Sequence, residues 1–174
     1  MNLSKANKIS IIGNSAAGKS TLSRELGRTL NINVYTIDKI YWLPEWKLRD
    51  QISFRLQHNK WLDKNTWIID GIGYWEELEQ RLAQSDAIIF LDVPVELCKK
   101  RAKIRIREES RLPNKNITPG CFYNDVKELQ METIVDFHNT FRPKLMDYLS
   151  SINSDKFIII NDPIELNYDN KAII

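Results

Sequence analysis

At 174 residues the chain has the length of one domain with room for a sizeable core. Hydrophobic residues make up 43% and charged residues 28%, the balance of an ordinary soluble globular protein, and a net charge of +2 is too small to argue for nucleic acid or a membrane surface. Cys98 and Cys121 have no metal or redox spacing, the N-terminus is polar and no stretch reaches transmembrane length, which together predict a cytoplasmic protein with reduced thiols.

The first predicted strand, Ile9 to Ile12, runs into Gly13-Asn14-Ser15-Ala16-Ala17-Gly18-Lys19-Ser20, which matches G-x-x-x-x-G-K-[ST]. Leu22, Leu26 and Leu30 follow at helical spacing, so Thr21 lies in the first turn of a helix. Strand, glycine loop and helix aim backbone N–H groups at an anion, Lys19 adds a cation for the β- and γ-phosphates, and Ser20 adds a hydroxyl for Mg²⁺. The expected ligand is a nucleoside triphosphate.

Further strands are predicted over Ile32 to Tyr35, Trp67 to Ile69, Ala87 to Leu91 and Phe157 to Ile160. Most are continuous apolar runs, which suits strands covered on both faces, and helical patterns separate them. The expected fold is therefore α/β, a doubly wound five-stranded parallel sheet. Asp38 stands just past the second strand, where such sheets place ligands, with the aromatic stretch Tyr41-Trp42-Leu43-Pro44-Glu45-Trp46 behind it. Residues 36–65 read as a helical segment on the acceptor side, its aromatic groups either packing or stacking on an acceptor. Asp70 ends the third strand before Gly71, the position of a carboxylate that holds a Mg²⁺-bound water beside a phosphate loop. Asp92, after the fourth strand, is expected to orient its surroundings.

A basic helix follows, and Arg101 and Arg105, four apart, share one face. Residues 108–121 hold two prolines and a glycine in a polar stretch and read as a short lid. Phe122, Val126, Leu129, Ile134, Phe137, Phe141, Leu145 and Tyr148 then form a helical stripe that Pro143 should kink or split. His58 and His138 stand alone and receive no chemistry. A short polar tail, expected to be poorly ordered, closes the chain.

In order and spacing, the phosphate loop, Asp38, Asp70-Gly71, Phe90-Leu91-Asp92-Val93-Pro94, the arginine helix, the lid and Arg142 resemble the adenylate-kinase-like P-loop kinases. Tyr35-Thr36-Ile37-Asp38-Lys39-Ile40-Tyr41-Trp42, Ile69-Asp70-Gly71 and Phe141-Arg142-Pro143-Lys144-Leu145 are closer still to the small proteins described as DNA topology modulation (FlaR-related) proteins. The resemblance covers about residues 7–163. It implies strand order 2-3-1-4-5 and a lid closing over ATP. It also implies that Arg101 packs on adenine, that Arg105 and Arg142 hold the transferring phosphoryl group, and that Asn161-Asp162-Pro163 border the base. Ile72-Gly73-Tyr74 stands where adenylate kinases carry Phe-Pro-Arg, so an arginine for the acceptor nucleotide is missing.

The expectation is an enzyme moving the γ-phosphoryl group of Mg-ATP to a small acceptor: a nucleoside, a nucleotide or another hydroxyl compound. Lys19, Arg105 and Arg142 neutralise charge, Ser20 and Asp70 hold Mg²⁺, and Asp38 positions or deprotonates the acceptor hydroxyl. The alternative is an ATP-binding regulator acting on nucleic acid through the face from Lys99 to Arg107.

Overall fold

The computed structural model describes residues 3–109 and 115–161. The expectations for Asp162, Pro163, the tail and residues 110–114 of the lid lie outside the described residues.

Five parallel strands form the main sheet: β1 (Lys8–Gly13), β2 (Val34–Thr36), β5 (Trp67–Asp70), β6 (Ala87–Leu91) and β7 (Phe157–Ile160). Their order is β2-β5-β1-β6-β7. A separate antiparallel ribbon pairs β3 (Trp42–Leu43) with β4 (Lys47–Leu48). The central strands β1, β5 and β6 are buried nearly throughout, as their unbroken apolar runs require, while β2 and β7 at the edges are only partly covered. The second strand starts two residues later than expected. Asn31 ends α1 (Lys19–Leu30) in the left-handed conformation and Ile32 N–H bonds back to Gly27 O at 3.1 Å, so Ile32 packs without pairing.

Helices cover both faces. Leu22 and Leu26 of α1, Cys98 and Ala102 of α5 (Val95–Glu109) and Ile134 of α6 (Lys127–Asp136) pack with Ile9, Ile11 and Ile89. On the other face Leu78 and Leu82 of α4 (Trp75–Gln84) and Leu145 and Leu149 of α7 (Arg142–Ser151) pack with Ile12, Ile88 and Phe90. A third cluster, Ile37, Ile40, Phe54, Trp67 and Ile69, seats α2 (Asp38–Tyr41) and α3 (Gln51–Leu62) beside β5. Residues 36–65 thus hold α-helix on either side of the ribbon, whose two strands are joined by a 3₁₀ turn, Pro44–Trp46.

The stripe after the lid is interrupted by a π-helical turn, Phe137–Phe141, between α6 and α7. Arg142 N–H reaches Phe137 O, five residues back, and the widened turn accommodates Pro143 without ending the helix. Phe122 and Leu129, expected in the stripe, are exposed by 47% and 57% and lie outside the core. α5 runs through Glu109, so the first two residues expected in the lid are helical.

The register aligns the carboxyl ends of the strands. Gly13 pairs with Leu91, Ile11 with Asp70, and Thr36 with Asp70. Gly13 must be glycine there: at φ 149° an added Cβ would lie 2.6 Å from Leu91 O.

Candidate active site

A cavity of about 770 Å³ opens over these strand ends, lined by the loop after β1, by α2 after β2, by Gly71–Gly73 after β5 and by α5 after β6. Gly18 caps α1 at φ 101°, Thr21 N–H closes the first turn on Gly18 O at 3.1 Å, and Ala16 takes a left-handed φ of 59°. Asn14, 2% exposed, pins the loop: its Nδ2 donates to Ile134 O at 2.8 Å and its Oδ1 accepts from Ser15 N–H at 2.7 Å. Lys19 Nζ donates to Asn14 O at 2.8 Å. Burial pushes the Lys19 ammonium below its ordinary value, and the charges of Asp38 and Asp70 offset part of this. Gly13, Asn14, Ser15, Ala16, Gly18, Lys19, Ser20 and Thr21 all line the cavity, whereas Ala17 is wholly buried in the core.

Asp70 is 1% exposed and held by three hydroxyls. Ser23 Oγ donates to Oδ2 at 2.6 Å, Thr36 Oγ1 to the same oxygen at 3.4 Å, and Ser20 Oγ to Oδ1 at 3.4 Å. Burial raises its carboxyl, while the Ser23 bond and the Lys19 charge pull it back. Among the described residues no cluster of three histidine, cysteine or acidic groups could hold a metal on its own. The Ser20–Asp70 pair suits Mg²⁺, which keeps several waters and takes most other ligands from a nucleotide's phosphates. Behind the pair, Arg81 is 0% exposed and donates Nη2 to Gly71 O at 2.6 Å, fixing the turn after β5; burial pulls it down to about 9.

Asp38 lies in the cavity wall at the start of α2. Burial raises its carboxyl, and the Lys19 charge opposes the rise, so acid and cation face one space. Around it stand Tyr41, Trp42 and Trp46, with Tyr123 above. Burial pushes the Tyr123 phenol up to about 12 and keeps it neutral. The aromatic stretch serves two purposes: Tyr41 packs edge-on against Phe54 and Tyr74, while it also borders the cavity.

Residues 118–122 bond to α2 and the ribbon on this side. Thr118 Oγ1 lies 2.8 Å from Trp42 O and 3.3 Å from both Asp38 O and Lys39 O. Glu45 N–H donates to Gly120 O at 3.1 Å, Trp46 Nε1 to Phe122 O at 2.9 Å, and Cys121 Sγ to Leu43 O at 3.1 Å.

Arg101 and Arg105 both line the cavity from α5. Arg105 stacks its guanidinium 3.8 Å from the centroid of the Tyr123 ring and donates Nη2 to Ser15 Oγ at 3.1 Å. Its buried Nε has no acceptor among the described residues, which fits a donor intended for an anion. Arg142 is elsewhere. Its Nε and Nη2 form a bidentate pair with Asp92 at 2.6 Å each, and it does not line the cavity. Asn161, exposed after β7, does not line it either.

Ser23, Thr36, Arg81 and Thr118 were not singled out in the sequence. Ser23 and Arg81 carry a faint signal as polar residues at buried positions of amphipathic helices; Thr36 and Thr118 carry none.

No family model and no curated protein matches the sequence. Solved structures do match. Shikimate kinase from Bacteroides thetaiotaomicron aligns at 17% identity and TM-score 0.57, over 90% of this chain and 86% of that one. Shikimate kinase from Acinetobacter baumannii, in complex with shikimate, aligns at 19% identity and TM-score 0.54, over 81% and 79%. Deoxyadenosine kinase from M. mycoides, with dCMP and dCDP bound, aligns at 19% identity and TM-score 0.50, over 88% and 89%. At such identities the likeness is one of fold. This chain has the fold of the small-molecule and nucleoside P-loop kinases.

Proposed function

We propose that the protein is a P-loop phosphotransferase that moves the γ-phosphoryl group of Mg-ATP to a hydroxyl on a small acceptor. The observation that carries this reading is the placement of the Asp38 carboxyl and the Lys19 ammonium in one cavity at the strand ends, beside the Ser20–Asp70 pair. The loop from Gly13 to Thr21 holds the phosphates through its N–H groups and Lys19. Ser20, and Asp70 through water, hold Mg²⁺, which when bound neutralises charge on the β- and γ-phosphate oxygens. Arg105 adds a second cation beside the loop, and Arg101, one turn earlier, borders the base. Asp38 accepts a hydrogen bond from the acceptor hydroxyl and takes its proton as transfer proceeds. Arg142 could reach the phosphoryl group only by leaving Asp92, so Lys19 and Arg105 carry the charge.

The nucleic-acid reading is weaker. Lys99 pairs with Glu96 at 3.0 Å, while Arg101 and Arg105 turn to the cavity rather than outward.

Asp38→Asn tests the proposal. Mg-ATP binding should persist while phosphoryl transfer falls about 10²–10⁴-fold, the range for a positioned acid or base. Unchanged transfer with lowered thermal stability would leave Asp38 a structural residue and remove the argument for chemistry.

A further inference from the structure

The two sides of the cavity differ in charge. Its cations among the described residues, Lys19, Arg101 and Arg105, come from the phosphate loop and α5. The side built by α2, the ribbon and the Gly71–Gly73 turn offers one charged group, the acid Asp38. Of the cations carried by that side, Arg49 Nε donates to Ile40 O at 2.7 Å, Arg55 pairs with Glu77 and Glu76, Lys47 pairs with Glu45, and Lys39 of α2 is exposed and does not line the cavity. Arg81 is wholly buried on Gly71 O. An anionic acceptor would therefore meet Asp38 with no cation of its own, a placement that costs free energy in a water-poor cavity.

The rest of that side is apolar and largely aromatic. Tyr41–Trp42, Trp42–Trp46 and Trp46–Tyr123 meet edge to face or tilted, with centroids 5.0, 5.4 and 5.0 Å apart, so each ring fixes the next. Ile72, Phe137 and Phe141 add further apolar lining to the cavity. Rings held in this way offer surfaces for a flat group, with Asp38 the one charged partner for a hydroxyl.

We infer that the acceptor is an uncharged alcohol carrying a flat aromatic ring, the class of nucleosides, and not a nucleotide or a sugar acid. The inference rests on the phosphotransferase reading and narrows it. The acceptor hydroxyl gives its proton to Asp38, and its oxygen bonds to the γ-phosphorus of the triphosphate. The bond from that phosphorus to the β–γ bridging oxygen breaks, its electron pair leaves with the nucleoside diphosphate, and Asp38 returns the proton to water.

Binding and transfer are measured separately on the wild-type protein. The probes are adenosine, guanosine, cytidine and thymidine, against their 5′-monophosphates, shikimate and gluconate. Binding is followed by calorimetry and tryptophan quenching with Mg²⁺ and a non-hydrolysable ATP analogue present; transfer is followed with Mg-ATP. At least one nucleoside should bind about tenfold or more tightly than every anionic probe and be phosphorylated, and Trp46→Leu should weaken that nucleoside about tenfold. An anionic probe that binds more tightly, or is phosphorylated at higher kcat/KM than any nucleoside, overturns the inference and leaves the phosphotransferase reading standing. Nucleoside binding without transfer does the reverse: the acceptor class holds and the transfer reading fails. Absence of nucleoside binding, or undiminished affinity in Trp46→Leu, also overturns the inference.

Discussion

His58 lies behind the cavity wall formed by α2 and the Gly71–Gly73 turn, and its protonation provides a quantitative test of how that wall is held. It sits in α3 at 0% exposure, stacked on Phe54 with centroids 5.6 Å apart, and neither ring nitrogen has a hydrogen-bond partner among the described residues. Phe54 in turn backs the Gly71–Gly73 turn, where a Cβ added to Gly73 would meet Phe54 Cζ at 2.7 Å. Burial, with the Arg81 charge nearby, pulls the imidazole from 6.5 down to about 3. Between those two values the unfolded chain binds a proton at His58 that the folded chain does not. The resulting stability is complete above pH 6.5 and is lost as pH falls from there toward about 3. At about 1.4 kcal/mol per pH unit, two units of acidification cost about 3 kcal/mol. Asp38 and Asp70, whose carboxyls burial raises, act in acid with the opposite sign, so a wild-type curve alone mixes the terms. The measurement is a difference: urea-unfolding free energies of wild type and His58→Leu at roughly pH 7.5 and 4.5. Leucine fills a similar space without a proton site. The gap between the proteins should shift by about 3 kcal/mol in favour of the variant at the lower pH. An equal gap at both pH values refutes the buried neutral imidazole.

Three further outcomes follow from the site. Lys19→Ala should keep the circular dichroism of the wild type and bind Mg-ATP about 10- to 100-fold more weakly, the loss of one charge-assisted contact; unchanged affinity by calorimetry sinks the phosphate-loop reading. Thr118→Val removes the hydroxyl that reaches the carbonyls around Asp38; kcat should fall about tenfold with KM for ATP unchanged, and a loss confined to KM would mean that Thr118 does not position the acid. Hydrogen exchange across the lid residues 115–121 should slow when Mg-ATP and acceptor are both present; equal exchange with and without them counts against closure.

The conformation of the loop after β1 was legible because glycine marks where a side chain cannot go: Gly13 and Gly18 both take positive φ. Arg101 and Arg105 were legible as a pair because helical spacing puts them on one face, and both reach the cavity. Arg142 was read through a resemblance, and its partner Asp92 lies 50 residues away in sequence. No local pattern encodes such a pair. The same limit hid Thr118, whose meaning depends on a ribbon nearly 80 residues earlier. Pro143 was read correctly as a disturbance but not in its form, because whether a helix breaks or widens depends on what packs around it. Here Phe137 and Phe141 stack at 5.3 Å and keep the chain helical through the π turn.

The contacts of the two halves of the cavity imply an order of events. The phosphate loop takes its shape from its own bonds: Asn14 ties it to Ile134, Asp70 is braced by Ser23 and Thr36, and Arg105 reaches Ser15. A triphosphate that draws Lys19 away from Asn14 O exchanges one hydrogen bond for another and meets a cradle already formed, so little ordering cost accompanies it. The acceptor half is bounded differently. Its roof is held by a few bonds between lid and ribbon and by tilted aromatic contacts, all of which an acceptor must open to enter and can remake around itself. Arg105 connects the halves, since the guanidinium that reaches Ser15 also lies on the Tyr123 ring of the roof. If a triphosphate binds at the loop, its charge acts on Tyr123 through Arg105, and the roof is then expected to settle after the triphosphate is in place. Acceptor affinity should accordingly be higher with Mg-ATP analogue bound than without it, and, because coupling between two sites is reciprocal, the acceptor should tighten the analogue by the same factor.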